Sequence, residues 1–339
     1  MNFDFNDDQQ AIKRTANEFL SSRFKPEKVR ELAESGSYDD ALWAEISELG
    51  WPGIFIEEEY GGHGLGVVEL VILQQELGYA LAPTPFFSNA AAGLVIAHAG
   101  SDEQKQRLLP GIASGEQRGA LGTVTNGEAP LVPDADSATV IVLLDGDQAS
   151  LVEAGDAEVE LRETIDSTRR YASVRANGAG EPLAGDVQAG VDRAEVALAA
   201  ELVGIGQWAL ETAVAYAKDR KQFDRPIGAY QAVSHRCAQM MLEVESARSA
   251  VYYAGWAADN DPEAASLAAS MAKAYAADAG WRVTASSLQV HGGIGFTWEH
   301  DLHFFLKRAR TDGHLLGSAR QHRDRVAELA GLSRAAAAA

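Results

Sequence analysis

The sequence predicts a mostly helical protein with a small β domain set between two helical regions. Three observations carry this expectation. Apolar residues recur at helical spacing over about the first 116 residues and again from about residue 189 onward. Between them lie short β-branched runs punctuated by glycine and proline. Finally, Arg220-Lys221-Gln222-Phe223-Asp224-Arg225-Pro226-Ile227 divides the second helical region into long pieces. Pro226 cannot continue a helix, and Gly228 frees the next turn.

In the first region, Asn6 and Asp7 suit the start of a helix in which Ile12, Ala16, Phe19 and Leu20 share one face. Leu42, Ile46 and Leu49 repeat the spacing, and Gly50 follows as a stop. The stretch from Glu57 to Gly66 has glycines at nucleotide-loop spacing. No β-α-β pattern surrounds them, so a sharp loop between helices is expected. Val67 to Leu81 and Ala90 to Ala99 read as apolar helices. Ser101-Asp102-Glu103-Gln104 is a capping-box pattern opening a helix to Leu109, which Pro110 is expected to end.

The pattern changes near Gly115. Strands are expected at Ala120 to Thr125, Thr139 to Leu144, Ala149 to Val152, around Val159 and Leu161, and at Tyr171 to Val174. Asp145-Gly146 is a hairpin signal. Helices are then expected from Asp192 to Asp219, Gly228 to Asp259, Pro262 to Val290 and His300 to Arg310, with more helix to Leu329. Asp192-x-x-Glu195 reads as the capping pattern of the first, and a glycine-rich loop runs from His291 to Glu299. The expected organisation is a helical domain at 1–116, a shortened β domain at 117–188, a four-helix bundle at 189–332 and a tail at 333–339.

Composition narrows the function classes. The chain has 339 residues, 46% apolar and 23% charged, enough for two or three domains with ample core. A net charge of −20 and a pI near 4.8 argue against nucleic acid and anionic membrane as partners. Any phosphate site must then be built from local cations. The single cysteine, Cys237, excludes an internal disulfide framework and a cysteine-rich metal site. His291, His300, His303 and His314 lack a carboxylate or cysteine partner at ligand spacing, so no metal is expected. The acidic N-terminus carries no signal pattern and no apolar run could span a membrane, which predicts a cytoplasmic protein. Arg320, Arg323 and Arg325 could attract phosphates or form a solvated helix face, and suit a subunit contact best.

The Arg220 corner has two readings. A cation at a helix C-terminus meets the negative end of the dipole, and Phe223 could pack inside, giving a capped corner. The same residues could clamp an anion, with Arg220 on a phosphate and Phe223 against a flat part of a cofactor.

Several motifs together resemble one family. Arg220-Lys221-Gln222-Phe223, then Pro226-Ile227 and Gln231, and later Gln289-Val290-His291-Gly292-Gly293-Ile294-Gly295-Phe296 with Glu299 are similar to the acyl-CoA dehydrogenases. Glu58-Glu59-Tyr60-Gly61-Gly62 also resembles the N-terminal-domain loop of that family, and the likeness covers the whole chain. The resemblance implies FAD-dependent α,β-dehydrogenation of an acyl-CoA, a carboxylate taking the α-proton while flavin N5 accepts the β-hydride. It implies an electron-transfer flavoprotein as acceptor and a homo- or hetero-tetramer, with FAD lying across a subunit boundary. The flavin ring would sit between the β domain and bundle of one subunit. The ADP half would be held by a neighbour, through residues matching Arg220, Phe223, Gln231, Gln289, Gly292 and Gly293.

The catalytic half departs from that pattern. The family's usual base is a Glu before the final helix, and Leu316 stands there. Leucine has no basic atom, and proton abstraction needs an acceptor within hydrogen-bond reach. The Arg-Asp pair that precedes it in the family is Lys307-Arg308 here. The alternative base position on the first bundle helix is Ala194; Glu195, one residue on, is turned by about 100°. On the first β strand, Thr123 or Thr125 could hydrogen-bond a flavin edge, and Thr125 is the stronger candidate. Three functions follow. The chain is a partner subunit lending its ADP-binding corner, a self-sufficient homotetrameric dehydrogenase with a relocated base such as Glu195, or a non-redox structural protein on this fold.

Overall fold

The computed structural model describes residues 5–332; the expected tail lies outside them. Six helices come first: α1 (Asp7–Arg23), α2 (Pro26–Ser35), α3 (Asp40–Glu48), α4 (Val67–Ala80), α5 (Phe86–Ala99) and α6 (Asp102–Ser114). Asn6 caps α1 through a reciprocal box with Gln9. The Glu57–Gly66 stretch is a loop, with Gly61 and Gly64 at φ +80° and +62°. Pro110 does not end α6. The helix continues to Ser114 because Leu109 and Ile112 are buried on either side of the proline, and Gly115 supplies the left-handed stop.

Seven strands follow: β1 (Gly119–Thr123), β2 (Ala129–Pro133), β3 (Val140–Asp145), β4 (Gln148–Glu153), β5 (Ala157–Leu161), β6 (Tyr171–Ala176) and β7 (Glu181–Leu183). They form a four-stranded sheet ordered β1-β3-β4-β7 and a three-stranded sheet ordered β2-β6-β5. The sheets share an apolar interior of Ala120, Val132, Ile141, Val152 and Val174. The Asp145-Gly146 signal marks a true hairpin, with Asp145 opposite Gln148. Strands β2 and β7 were not foreseen, because each is short and carries proline.

The last region holds α7 (Val187–Asp219), a two-stranded hairpin β8 (Lys221–Gln222) and β9 (Arg225–Pro226), then α8 (Gln231–Asn260), α9 (Pro262–His291), α10 (Leu302–Asp312) and α11 (Ala319–Leu329). Helix α7 begins one and a half turns earlier than its sequence suggests. Asp186, not Asp192, caps it, accepting from the Ala189 amide. The capping explanation of Asp192 and Glu195 is therefore corrected: both lie inside α7 and both are buried.

Helices α4 and α7 touch backbone to backbone. A Cβ on Gly204 would stand 2.0 Å from the Gln75 carbonyl oxygen, and one on Gly78 would stand 2.3 Å from that of Glu201. Only glycine fits this crossing. The N-terminal helices thus share one core with the bundle, reaching from Ala16 and Leu20 through Leu70 and Leu73 to Leu198 and Ala272.

Candidate functional site

At one end of the bundle the C-terminus of α7, the N-terminus of α8 and the C-terminus of α9 come together. The Tyr216 ring stacks on His291 at 4.6 Å, fixing α7 against α9 there. Arg220, Phe223 and Gln231 lie on the α7–α8 connection at this end, and Gln289, Gly292 and Gly293 where α9 finishes. Arg220 caps α7, its amide donating to the Tyr216 carbonyl, and its exposed guanidinium forms no ion pair among the described residues. Gln231 opens α8 and Gln289 lies in the last turn of α9, both exposed. Gly292 adopts φ +63°, and a Cβ on either glycine would meet nothing within 4 Å, so backbone is open to approach from outside.

Between these helices the sequence hid a hairpin. Lys221 pairs with Pro226 and Gln222 with Arg225 across a two-residue turn. The turn residues Phe223 and Asp224 take φ +52° and +63°, values that cost a side-chain-bearing residue about 1–2 kcal/mol each. The Phe223 ring is 87% exposed, its edge toward Tyr230 at 6.3 Å. The capped-corner reading, with the ring packed inside, is overturned. Phe223 points outward on a strained tip, the geometry of a group presented to something else.

The seam between β domain and bundle is the opposite case. It is buried and full of charge. The 162–170 loop between β5 and β6 carries Asp166, Thr168 and Arg169 down onto α7 and α10. Arg308 donates to Asp166, Glu201 and Thr168, each at 2.7 Å. Arg169 donates to both Glu201 oxygens at 2.9 and 2.8 Å and to Asp312 at 2.7 Å. Gln74 on α4 donates to Glu201 at 2.7 Å. All are 5% exposed or less. Burial pushes the Glu201 carboxyl up, but the two guanidiniums outweigh it and hold it below its ordinary range. Burial, with the neighbouring Glu201 charge, raises Asp312 to about 8. Two guanidiniums thus face the carboxyls of Asp166, Glu201 and Asp312 in one buried set, which compensates charges that burial alone would disfavour. The sequence signal for this network was present but quiet: Glu201 stands alone among Leu198, Ala199, Ala200, Leu202 and Val203, and Arg308 replaces an acidic residue of the family pattern.

The candidate base positions lie near one another and offer no free carboxylate. Leu316 is half-buried at φ +52°, its carbonyl held by His322 Nε2 at 2.9 Å. Ala194 is fully buried. Glu195 faces α11, where Arg325 donates to it at 3.2 Å and to Asp192 at 2.7 Å. Burial raises Glu195 to about 8. Arg325 is thus an internal anchor and not part of a solvated face, whereas Arg323 pairs with Asp278 at the surface. Lys273 on α9, fully buried and lowered to about 8 by burial, donates to the carbonyls of Asp312 and Gly317 at 3.1 and 3.0 Å. It ties down the loop that carries Leu316. Thr123 and Thr125 are exposed at the end of β1, where Thr125 bridges to Glu128 across Asn126-Gly127. His291 is buried, its Nδ1 2.8 Å from the Ser287 carbonyl oxygen, while His235 is exposed. Among the described residues no three His, Cys, Asp or Glu side chains gather at metal-binding distance, and no helix is long and apolar enough to cross a membrane.

Comparison with known proteins adds to this geometry. Residues 6–116 match the acyl-CoA dehydrogenase N-terminal domain, and residues 185–330 match the acyl-CoA dehydrogenase C-terminal domain. The acyl-CoA dehydrogenase IpdE2 of Mycolicibacterium smegmatis is 35% identical over 323 residues, 94% of this chain and 98% of its own. The chain belongs to the acyl-CoA dehydrogenase family. Its fold is that of the ChsE4–ChsE5 complex from Mycobacterium tuberculosis, with a TM-score of 0.89 and 25% identity over 98% of this chain and 100% of that one. A Tcur3481–Tcur3483 steroid acyl-CoA dehydrogenase variant aligns at a TM-score of 0.86 and 26% identity, over 98% and 99% of the two chains.

FAD is the cofactor of acyl-CoA dehydrogenases. The residues of this chain fit one half of it. Arg220, without an ion partner among the described residues, two glycines with open backbone and two exposed glutamines suit a diphosphate and the groups around it. The seam between β domain and bundle is instead filled by the Arg308–Glu201–Arg169 ion pairs.

Proposed function

We propose that this chain is the partner subunit of a heteromeric acyl-CoA dehydrogenase. It lends its Arg220 corner to the ADP half of an FAD whose flavin ring is seated in a neighbouring catalytic subunit. The observation that carries this reading is the contrast between the two halves. The Arg220–Gly293 corner is open and faces outward, whereas the seam of this chain is closed by buried ion pairs and Leu316 offers no base.

Each residue at the corner has a task in this reading. Arg220 meets the diphosphate charge as a local cation in an otherwise acidic chain. Gln231 and Gln289 supply hydrogen bonds, and Gly292 and Gly293 allow close backbone approach. Phe223 presents its ring from the hairpin tip to an apolar face of the cofactor or catalytic subunit. When bound, FAD supplies the hydride acceptor for acyl-CoA α,β-dehydrogenation, and an electron-transfer flavoprotein receives the electrons. The proton acceptor belongs to the neighbour. The assembly is a cytoplasmic heterotetramer. A homotetramer using Glu195 finds less support, since that carboxyl is engaged with Arg325 and raised by burial.

The test is a visible spectrum with an oligomer mass, on the chain alone and co-expressed with a catalytic dehydrogenase subunit. A colourless lone chain that joins a yellow mixed tetramer is expected, with Arg220→Ala weakening FAD retention there. A yellow lone chain bleached by acyl-CoA would overturn the reading.

A further inference from the structure

A cavity of about 210 Å³ lies outside both halves just described, where α1, α2 and α4 meet α7 and α10. Its wall is apolar: Leu20, Phe24, Val29, Leu81, Trp208 and Phe305. It does not collapse, because each side is anchored elsewhere. Trp208 and Phe305 are stacked at 3.6 Å with planes 2° apart. Asp301 on the α10 side is ion-paired with Arg30 on α2. The space exceeds the roughly 150 Å³ apolar cavity known to accept benzene, so it admits one substituted aromatic ring.

Polar groups also reach this space, among them Asn17 on α1, Glu76 and Tyr79 on α4 and Asp301 before α10, and Glu76 is the buried carboxyl of the set. Glu76 is 6% exposed and lines the cavity. Its Oε2 accepts from Asn17 Nδ2 at 3.1 Å, and its Oε1 meets no donor among the described residues. Burial raises its pKa, so an unpartnered carboxylate there lacks stabilisation. Glu76 also borders a polar groove that carries Lys13, Arg248 and the like charge of Glu211; none of the three makes an ion pair with it among the described residues. Lys25 sits exposed at the rim.

We propose that this cavity is a second small-molecule site, taking an arylalkylamine: one aromatic ring in the apolar space, with its ammonium on Glu76 Oε1. An ammonium supplies Oε1 with a hydrogen bond and a direct ion pair, which Asn17, Lys13 and Arg248 do not give it. The ring packs against Val29, Leu81 and the rigid Trp208–Phe305 wall. The site is also connected to the cofactor corner, since Trp208 lies edge-on to His300 at 6.4 Å and His300 lies edge-on to His291 at 4.6 Å, immediately before Gly292.

The experiment is calorimetric titration of the full-length chain with 2-phenylethylamine, phenylacetate and 2-phenylethanol, repeated on Glu76→Gln and Val29→Trp. The amine is expected to bind at least tenfold more tightly than the acid. Glu76→Gln should weaken the amine at least tenfold while leaving 2-phenylethanol within twofold. Val29→Trp, checked for native circular dichroism, should abolish binding of all three. Equal binding of amine and acid would overturn the proposal. So would retention of the amine by Val29→Trp, or full blocking of the site in a mixed assembly.

Discussion

Arg308→Met tests whether the seam is the closed, dry unit its geometry describes. The change removes three charge-assisted hydrogen bonds of 2.7 Å but keeps an apolar side chain of similar length. Glu201 retains Arg169 and Gln74. Asp166 loses most, because it keeps only Thr168, through its amide at 2.9 Å and its hydroxyl at 2.6 Å, and a Tyr171 contact at 3.4 Å. Stripping one partner from a buried ion pair costs about 3–5 kcal/mol. At roughly 2–4 °C per kcal/mol, the lone chain should melt on the order of 10 °C lower. Scanning calorimetry on the purified chain measures this. Adding Asp166→Asn neutralises the abandoned charge and should recover at least half of the loss. A fall below about 2 °C for the single variant would refute the reasoning, since it would mean that water already screens the seam.

Four further outcomes follow from the same structure. Phe223→Gly should leave the lone chain equally stable or up to about 1 kcal/mol more stable in urea unfolding, because glycine accepts φ +52°, while a mixed assembly loses FAD more readily. A clear loss of stability would contradict an outward role for the ring. Glu195→Gln should gain on the natural chain as pH rises from about 4.5 to 8. The native carboxyl keeps a proton the unfolded chain releases, so wild-type stability falls across that window, and parallel pH–stability curves would sink the assignment. Lys273→Met should speed amide hydrogen exchange over residues 313–318, because Asp312 and Gly317 carbonyls lose their donor; unchanged exchange there would show that the loop is held otherwise. Gly204→Ala should lower stability by about 1–3 kcal/mol or more, as its methyl meets the Gln75 carbonyl, and a neutral result would mean that α4 can shift.

The order helices, strands, helices was legible because each segment's periodicity agrees with its final environment. The boundaries that moved did so for tertiary reasons. Pro110 sits inside α6 because Ile112 beyond it is needed in the core, and α7 starts at Val187 because Asp186 caps it. The corner residues were readable as a motif, but Phe223's outward pose was not. It depends on two left-handed residues in a row, which neither Phe nor Asp signals strongly. The seam was the least legible part. Asp166, Arg169, Glu201, Arg308 and Asp312 are scattered over nearly 150 positions, and only the fold brings them together.

The Gly78–Gly204 crossing has a consequence for how this chain can be cut. With two backbones in direct contact, α4 is a fifth member of the bundle although the strands separate it from α7 in the sequence. An excised fragment beginning at 189 would bare a groove too narrow for any ordinary side chain to refill. Grafts and chimeras between related subunits should therefore exchange α4 and α7 as one cassette, and a transplanted β domain should bring the Glu201, Arg308 and Asp312 partners of its 162–170 loop with it.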